Sequence, residues 1–101
     1  MRVVLEAAAR SEMWEAAQFY DDCREGLGLE FLAAVEQALE WIRRHPLLGS
    51  PLKRPFRRVF LHRFPYALVY AVEEDVAFVA AVMHLKRKPG YWLKRTTGGQ
   101  S

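Results

Sequence analysis

The sequence predicts an α+β fold in which a helical hairpin packs on a mostly antiparallel sheet. In the first half, two segments repeat their apolar residues every three or four positions, which is the period of an α-helix. In the second half, two continuously apolar runs are joined by Glu73-Glu74-Asp75, which is typical of two buried strands connected by a turn. The predicted order of elements is β-α-α-β-β-β.

The chain opens with a predicted short strand, Met1–Leu5, whose core is β-branched. A helix is predicted from Ala7 to Cys23, because alanine-rich sequence favours helix and the apolar residues share one face. That face consists of Met13, Ala16, Ala17 and Tyr20. We also expect four aromatic residues to lie in the core: Trp14, Tyr20, Tyr66 and Tyr70.

The second helix is predicted from Leu29 to Arg44, after a glycine turn at residues 26–28. Its apolar stripe is formed by Phe31, Val35, Ala38, Leu39 and Ile42. Pro46 cannot continue the helix, since it lacks an amide hydrogen. The two helices therefore form an antiparallel hairpin.

Residues 45–55 contain three prolines and a glycine and are predicted to be a loop without a strand. Strands are then predicted at Arg57–Leu61, Tyr66–Val72 and Val76–His84, as an antiparallel meander with the first strand of the chain at one edge. Because both sets of alternating residues in Tyr66–Val72 are apolar, we expect this strand to be covered on both faces. Residues 1–95 are predicted to form a single domain, and 96–101 a flexible tail.

Composition excludes several classes of protein. Among the 101 residues, the single cysteine, Cys23, rules out an internal disulfide. No apolar run is long enough to span a membrane, so we expect a cytoplasmic protein without membrane contact. The histidines show no ligand spacing and no phosphate-binding glycine motif is present, so neither a metal nor a cofactor is expected.

Charge is divided unequally between the halves. Residues 1–50 hold five Lys/Arg and nine Asp/Glu, whereas residues 51–101 hold ten Lys/Arg and three Asp/Glu. The second half can meet nucleic acid, an acidic protein segment or the first half of a second copy, or it can simply be a solvated basic face. Antiparallel pairing places Arg63, His84 and Arg87 near one end of the sheet. The residues predicted to contact a target or an antitoxin are Arg57, Arg58, Arg63, His84, Lys86, Arg87, Tyr91 and Trp92. Alternatively, Tyr91 and Trp92 cover the edge of the sheet.

An ordered set of motifs resembles the ParE branch of the RelE/ParE toxin superfamily, the plasmid stabilisation proteins, from Val3 to Trp92. The set consists of GLGLEFLAAVEQAL, RRHP, RRVFLHRFPYALVYAV and VMHLKRKPGYW. The resemblance implies a toxin of a type II toxin–antitoxin system that a cognate antitoxin neutralises. It further implies that ParE-like members inhibit DNA gyrase, whereas RelE-like members cleave mRNA on the ribosome.

The residue at position 67, an alanine, distinguishes between the two activities that the resemblance implies. In the RNA-cleaving members an arginine follows the tyrosine that corresponds to Tyr66, and here that position is alanine. A scissile phosphate requires fixed positive charge to stabilise its transition state. We therefore predict a ParE-like toxin that is not an enzyme, with no confident catalytic residue and only indirect contact with nucleic acid. The alternatives are a ribosome-dependent ribonuclease, in which Lys86, Arg87 and Tyr91 match the later basic and aromatic residues, and a non-toxic binding module.

Overall fold

The chain is described by a computed structural model that covers residues 1–95. The predicted flexible tail, 96–101, lies outside these residues. The elements are β1 (Arg2–Leu5), α1 (Ala7–Cys23), α2 (Leu27–Arg44), β2 (Ser50–Pro51), β3 (Phe56–Phe60), β4 (Tyr66–Glu73), β5 (Val76–His84) and a 3₁₀ helix (Tyr91–Lys94). The helical hairpin packed on a sheet confirms the predicted α+β class.

The sheet has the order β1-β5-β4-β3-β2. β1 runs parallel to β5, and the other neighbours are antiparallel, which confirms the predicted meander with the first strand at its edge. The prediction that residues 45–55 contain no strand is wrong, since Ser50 pairs with Arg58 and Pro51 with Arg57. An edge strand can include proline because one side of it needs no amide donor for the ladder.

The junction between the helices is tighter than predicted, and α2 begins at Leu27 instead of Leu29. The Asp21 carboxylate accepts hydrogen bonds from the amides of Gly26 (3.0 Å) and Gly28 (3.1 Å), which satisfies donors in the first turn of α2. A Cβ on Gly28 would lie 2.6 Å from the carbonyl oxygen of Ala17. Glycine at this position therefore lets the two helices approach closely.

The main core lies between the hairpin and the sheet. Of the predicted stripe of α2, Phe31, Val35 and Ile42 are fully buried, and Leu39 is half-buried at the margin. The sheet residues in the same core are Leu68, Tyr70, Val79 and Val82. The prediction for Trp14 is wrong, because this side chain is 54% exposed. It lies beside the buried stripe of α1 and borders a groove between the two helices.

A second, smaller core covers the opposite face of the sheet. Ala67, Val69 and Ala71 of β4 face it, so both faces of this strand are covered, as predicted. The cover is provided by Phe56 and Trp92, whose ring centroids lie 4.7 Å apart. Ala80 is an extra residue in β5, since Val69 pairs with Ala81 and Tyr70 with Val79. Such a bulge turns successive side chains to the same face and bends the strand.

Candidate functional site

The end of β5 brings together several predicted contact residues. His84 pairs with Tyr66 in the sheet, and the centroids of their rings are 4.9 Å apart. The Nδ1 atom of His84 accepts a hydrogen bond from the amide of Lys86 (3.0 Å), and its carbonyl accepts one from the amide of Arg87 (3.0 Å). These bonds form a tight turn that fixes His84 and the backbone of the two basic residues beside it.

Arg87 is held by an aromatic platform. Its guanidinium carbon lies 3.7 Å from the centroid of the Tyr91 ring, which is a favourable cation–π distance. The Tyr91 hydroxyl in turn donates a 2.8 Å hydrogen bond to Oε2 of Glu12 on α1. Arg87 forms no salt bridge with residues 1–95, so its charge is available at the surface.

Glu12 is the centre of a network that we call the C-terminal clamp, formed by Glu12, Tyr91 and Arg95 around β5. The guanidinium of Arg95 donates to both carboxylate oxygens of Glu12, at 3.0 and 2.9 Å, and to the carbonyl of the bulge residue Ala80 at 3.0 Å. Oε1 of Glu12 also accepts a 2.9 Å hydrogen bond from the amide of Val82. β1 pairs with β5 only as far as Val79, so the following residues of β5 have no neighbouring strand on that side. The clamp provides hydrogen-bond partners for the main chain of this unpaired part of β5.

The charged side chains of the clamp are largely buried, so their interactions contribute to the stability of the fold. The side chains of Arg95 and Glu12 are 25% and 13% exposed. Burial, followed by the hydrogen bond to Glu12, raises the pKa of Tyr91 well above its usual value. The hydrogen bond to Glu12 also raises the pKa of Arg95. Tyr91 therefore stays protonated at neutral pH and acts as a hydrogen-bond donor.

A small cavity opens between α1 and the end of β5. Its volume is about 160 Å³, and it is lined by Glu12, Glu15, Ala16, Tyr66, Val82, His84 and Arg87. Acidic and basic groups are mixed in this lining, so the cavity has no uniformly positive surface for a phosphate. His84 and Arg87 lie on the β5 side of this cavity. Together with Lys86 in the same turn, they form a surface that we call the basic margin.

The other candidate residues lie elsewhere. Arg57 donates a 3.0 Å hydrogen bond to the carbonyl of Gly49, and the guanidinium of Arg58 lies 4.7 Å from the centroid of the Phe60 ring. Arg63 is in the turn before β4 but binds Glu30 at 3.0 Å, so it does not join His84 and Arg87 in the cavity. Trp92 is only 4% exposed and packs in the second core. Lys86 is exposed.

Sequence reasoning missed Glu12 and Arg95. Glu12 belongs to none of the motifs identified in the sequence, but it lies four positions before Ala16 and three after Ala9, both of which are buried. This spacing was the available signal, because an acid on an inward helix face requires a partner. Arg95 is distant in sequence and follows a Pro-Gly break, so nothing local indicated the pairing.

A metal-binding cluster and a membrane-spanning helix are both absent from residues 1–95. This part of the chain includes no group of three or more His, Cys, Asp or Glu side chains placed to hold a metal ion. Neither of its long helices is apolar enough over a sufficient length to cross a membrane.

Removing the Glu12 carboxylate should release the C-terminal clamp. In Glu12→Ala, the Val82 amide and the Tyr91 hydroxyl lose their acceptor and Arg95 loses its counter-charge. We expect the free energy of unfolding to fall by about 2–3 kcal/mol, measured by urea denaturation. Glu15→Ala is the matched control, since Glu15 is exposed on the same helix and should change stability by less than ~0.5 kcal/mol. Equal effects of the two substitutions would contradict the role given to Glu12.

Comparison with known proteins identifies the group to which these features belong. A family described as "ParE toxin of type II toxin-antitoxin system, parDE" matches residues 3–89. A chain of the solved chromosomal ParDE TA system from P. aeruginosa has a similar fold, with a TM-score of 0.65 and 16% sequence identity, over 85% of this chain and 97% of that chain. At this identity the likeness concerns the fold alone. No significant match is found among curated proteins.

Proposed function

Since the chain belongs to the ParE toxin family of type II toxin–antitoxin systems, we propose that it inhibits DNA gyrase and that a cognate antitoxin neutralises it. The observation that carries the proposal is the family match over residues 3–89, which includes both long helices and every residue of the sheet except Arg2. Gyrase as target is an expectation from the ParE resemblance. Such a target places the action in the cytoplasm and makes contact with DNA indirect.

The basic margin at the end of β5 supports a protein target. Arg87 has an exposed charge and a fixed platform in Tyr91, and Lys86 and His84 lie in the same turn. A preorganised arginine loses little side-chain entropy when it binds a carboxylate, and arginine is enriched among residues that dominate interface energies. We propose that this margin, with Arg87 at its centre, contacts an acidic surface of the target.

Two features weigh against the ribonuclease alternative. The Ala67 side chain, at the position where a catalytic arginine is expected, is fully buried in the second core beneath Phe56 and Trp92. The Tyr91 hydroxyl is committed to Glu12, and its raised pKa makes it a poor general base. Neither position therefore offers the charge stabilisation or proton transfer that RNA cleavage requires.

Purified protein separates the two activities directly. We expect it to inhibit DNA supercoiling by gyrase in a dose-dependent manner, and the antitoxin encoded beside its gene to restore supercoiling. The same preparation added to translating ribosomes should leave mRNA in the A site intact. Unimpaired supercoiling together with A-site cleavage that is lost in Tyr91→Phe would overturn the proposal in favour of a ribosome-dependent ribonuclease.

A further inference from the structure

The chain folds back on itself between Arg87 and Tyr91. The amide of Tyr91 donates to the carbonyl of Lys88 at 3.4 Å, and Gly90 has a φ of +84°, a left-handed conformation that favours glycine. A Cβ on Gly90 would also lie 3.0 Å from Cδ1 of Leu93. This reversal of the chain brings the Tyr91 ring to the guanidinium of Arg87.

The Tyr91 ring is fixed by its hydroxyl. Two guanidinium groups approach the ring, with the carbon of Arg87 3.7 Å and that of Arg95 5.0 Å from its centroid. These contacts alone leave the ring free to slide in its own plane. The hydroxyl prevents this movement because it donates a 2.8 Å hydrogen bond to Oε2 of Glu12. A hydrogen bond to a charged acceptor is stronger than one between neutral groups.

Glu12 is a rigid anchor for this hydroxyl. The amide of Val82 donates to Oε1 of Glu12 at 2.9 Å, and the guanidinium of Arg95 donates to both of its carboxylate oxygens. Arg95 is itself tied to the bulge of β5 through the carbonyl of Ala80. The position of the Glu12 carboxylate is therefore set by the sheet, since several donors hold it from different directions.

The anchor acts on Arg87 without neutralising it. Glu12 and Arg87 line the same cavity, yet the carboxylate forms its salt bridge with Arg95. Within residues 1–95, Arg87 forms no salt bridge with any carboxylate. The aromatic ring is the link between the two residues, so the charge of Arg87 remains available for a partner.

We propose that Glu12 is a positioning residue for Arg87. By holding the Tyr91 hydroxyl, it fixes the ring that orients the guanidinium towards the acidic surface of the target. An arginine that is already ordered loses less conformational entropy when it binds. This inference rests on the proposed contact between Arg87 and the target, and it gives a largely buried residue of α1 a part in that contact.

Two substitutions break the link while leaving Arg87 in place. Tyr91→Phe keeps the ring and removes only the hydroxyl, and Glu12→Gln keeps the length of the side chain and one oxygen for the Val82 amide. We expect each to raise the protein concentration that halves supercoiling by gyrase by about threefold to tenfold. In an Arg87→Ala background, each should change that concentration by less than about twofold, because no guanidinium remains to be oriented.

A matched control separates positioning from a loss of stability. Leu39→Ala destabilises the margin of the main core, away from the C-terminal clamp. It should leave inhibition of gyrase within about twofold of the wild type, at a temperature where thermal melting shows every variant to be folded.

Nuclear magnetic resonance of the free protein reports the orientation of Arg87 without a target. The ring current of Tyr91 should shift the side-chain resonances of Arg87 upfield in the wild type. Tyr91→Phe and Glu12→Gln should each lose most of this shift, whereas Leu39→Ala should keep it. A role of Glu12 in stability alone predicts no such difference among folded variants.

The outcomes distinguish this inference from the proposed function. Clamp variants that weaken inhibition by the same factor with and without Arg87, or that leave the Arg87 resonances unshifted from the wild type, would overturn the positioning role alone. Full inhibition by Arg87→Ala would overturn this role together with the proposed contact of Arg87. Unimpaired supercoiling in the presence of folded wild-type protein would overturn both the role and the proposed function.

Discussion

Replacing Phe31 by alanine should lower the free energy of unfolding by about 3–5 kcal/mol, the largest stability effect that we expect from a single substitution. Phe31 is fully buried at the centre of the main core. Its ring centroid lies 5.4 Å from that of Tyr20, 5.3 Å from that of Phe64 and 5.1 Å from that of Tyr66. Its loss removes apolar burial and three aromatic contacts, and it leaves a cavity that the rigid sheet cannot close.

Urea denaturation followed by circular dichroism measures this effect. Leu29→Ala is the control, because Leu29 lies on the same helix but is largely exposed, and its truncation should change stability by less than ~0.5 kcal/mol. A loss below about 1 kcal/mol in Phe31→Ala would contradict the packing of the hairpin on the sheet.

Reversing the charge of Arg87 should abolish growth inhibition while leaving the protein folded. Arg87 is the exposed cation at the basic margin, and Tyr91 orients its guanidinium. In Arg87→Glu, the new carboxylate repels the acidic target surface that the guanidinium attracts. Such a contact between like charges costs several kcal/mol at an interface. Stability should fall by only about 1 kcal/mol, because the lost interaction is a single exposed cation–π contact.

Lys88→Glu provides the matched control for this reversal. Lys88 lies one residue further along the same exposed turn, and the substitution alters net charge by the same amount. We expect this variant to retain its effect on growth. Equal toxicity of Arg87→Glu and the wild type, with both proteins expressed at similar levels, would contradict a contact between Arg87 and the target.

The regular elements were accessible from sequence because their signals are local. The apolar stripe of α2 and the continuous apolar runs of β4 and β5 predicted these elements to within two residues at each end. The strand at Ser50–Pro51 was missed because two residues carry no periodicity and its formation depends on β3. The exposure of Trp14 was not predicted because this residue lies only one position away from the apolar face of α1. A shift of one position on a helix is enough to move a side chain from the core to the surface.

The candidate site was only partly accessible, since its organisation depends on contacts between distant segments. Antiparallel pairing was enough to bring His84 and Arg87 to one end of the sheet. It could not show that Arg63 binds Glu30, or that Glu12 joins Tyr91 and Arg95 across the β5 edge.

Growth of bacteria after induction of this chain, with and without the antitoxin encoded beside its gene, tests the central claim most directly. Induction of the chain alone should arrest growth, and co-induction of the antitoxin should restore it. The Arg87→Glu variant, produced at the same level, should permit growth without the antitoxin. Normal growth of cells that accumulate folded wild-type protein would contradict its action as a toxin.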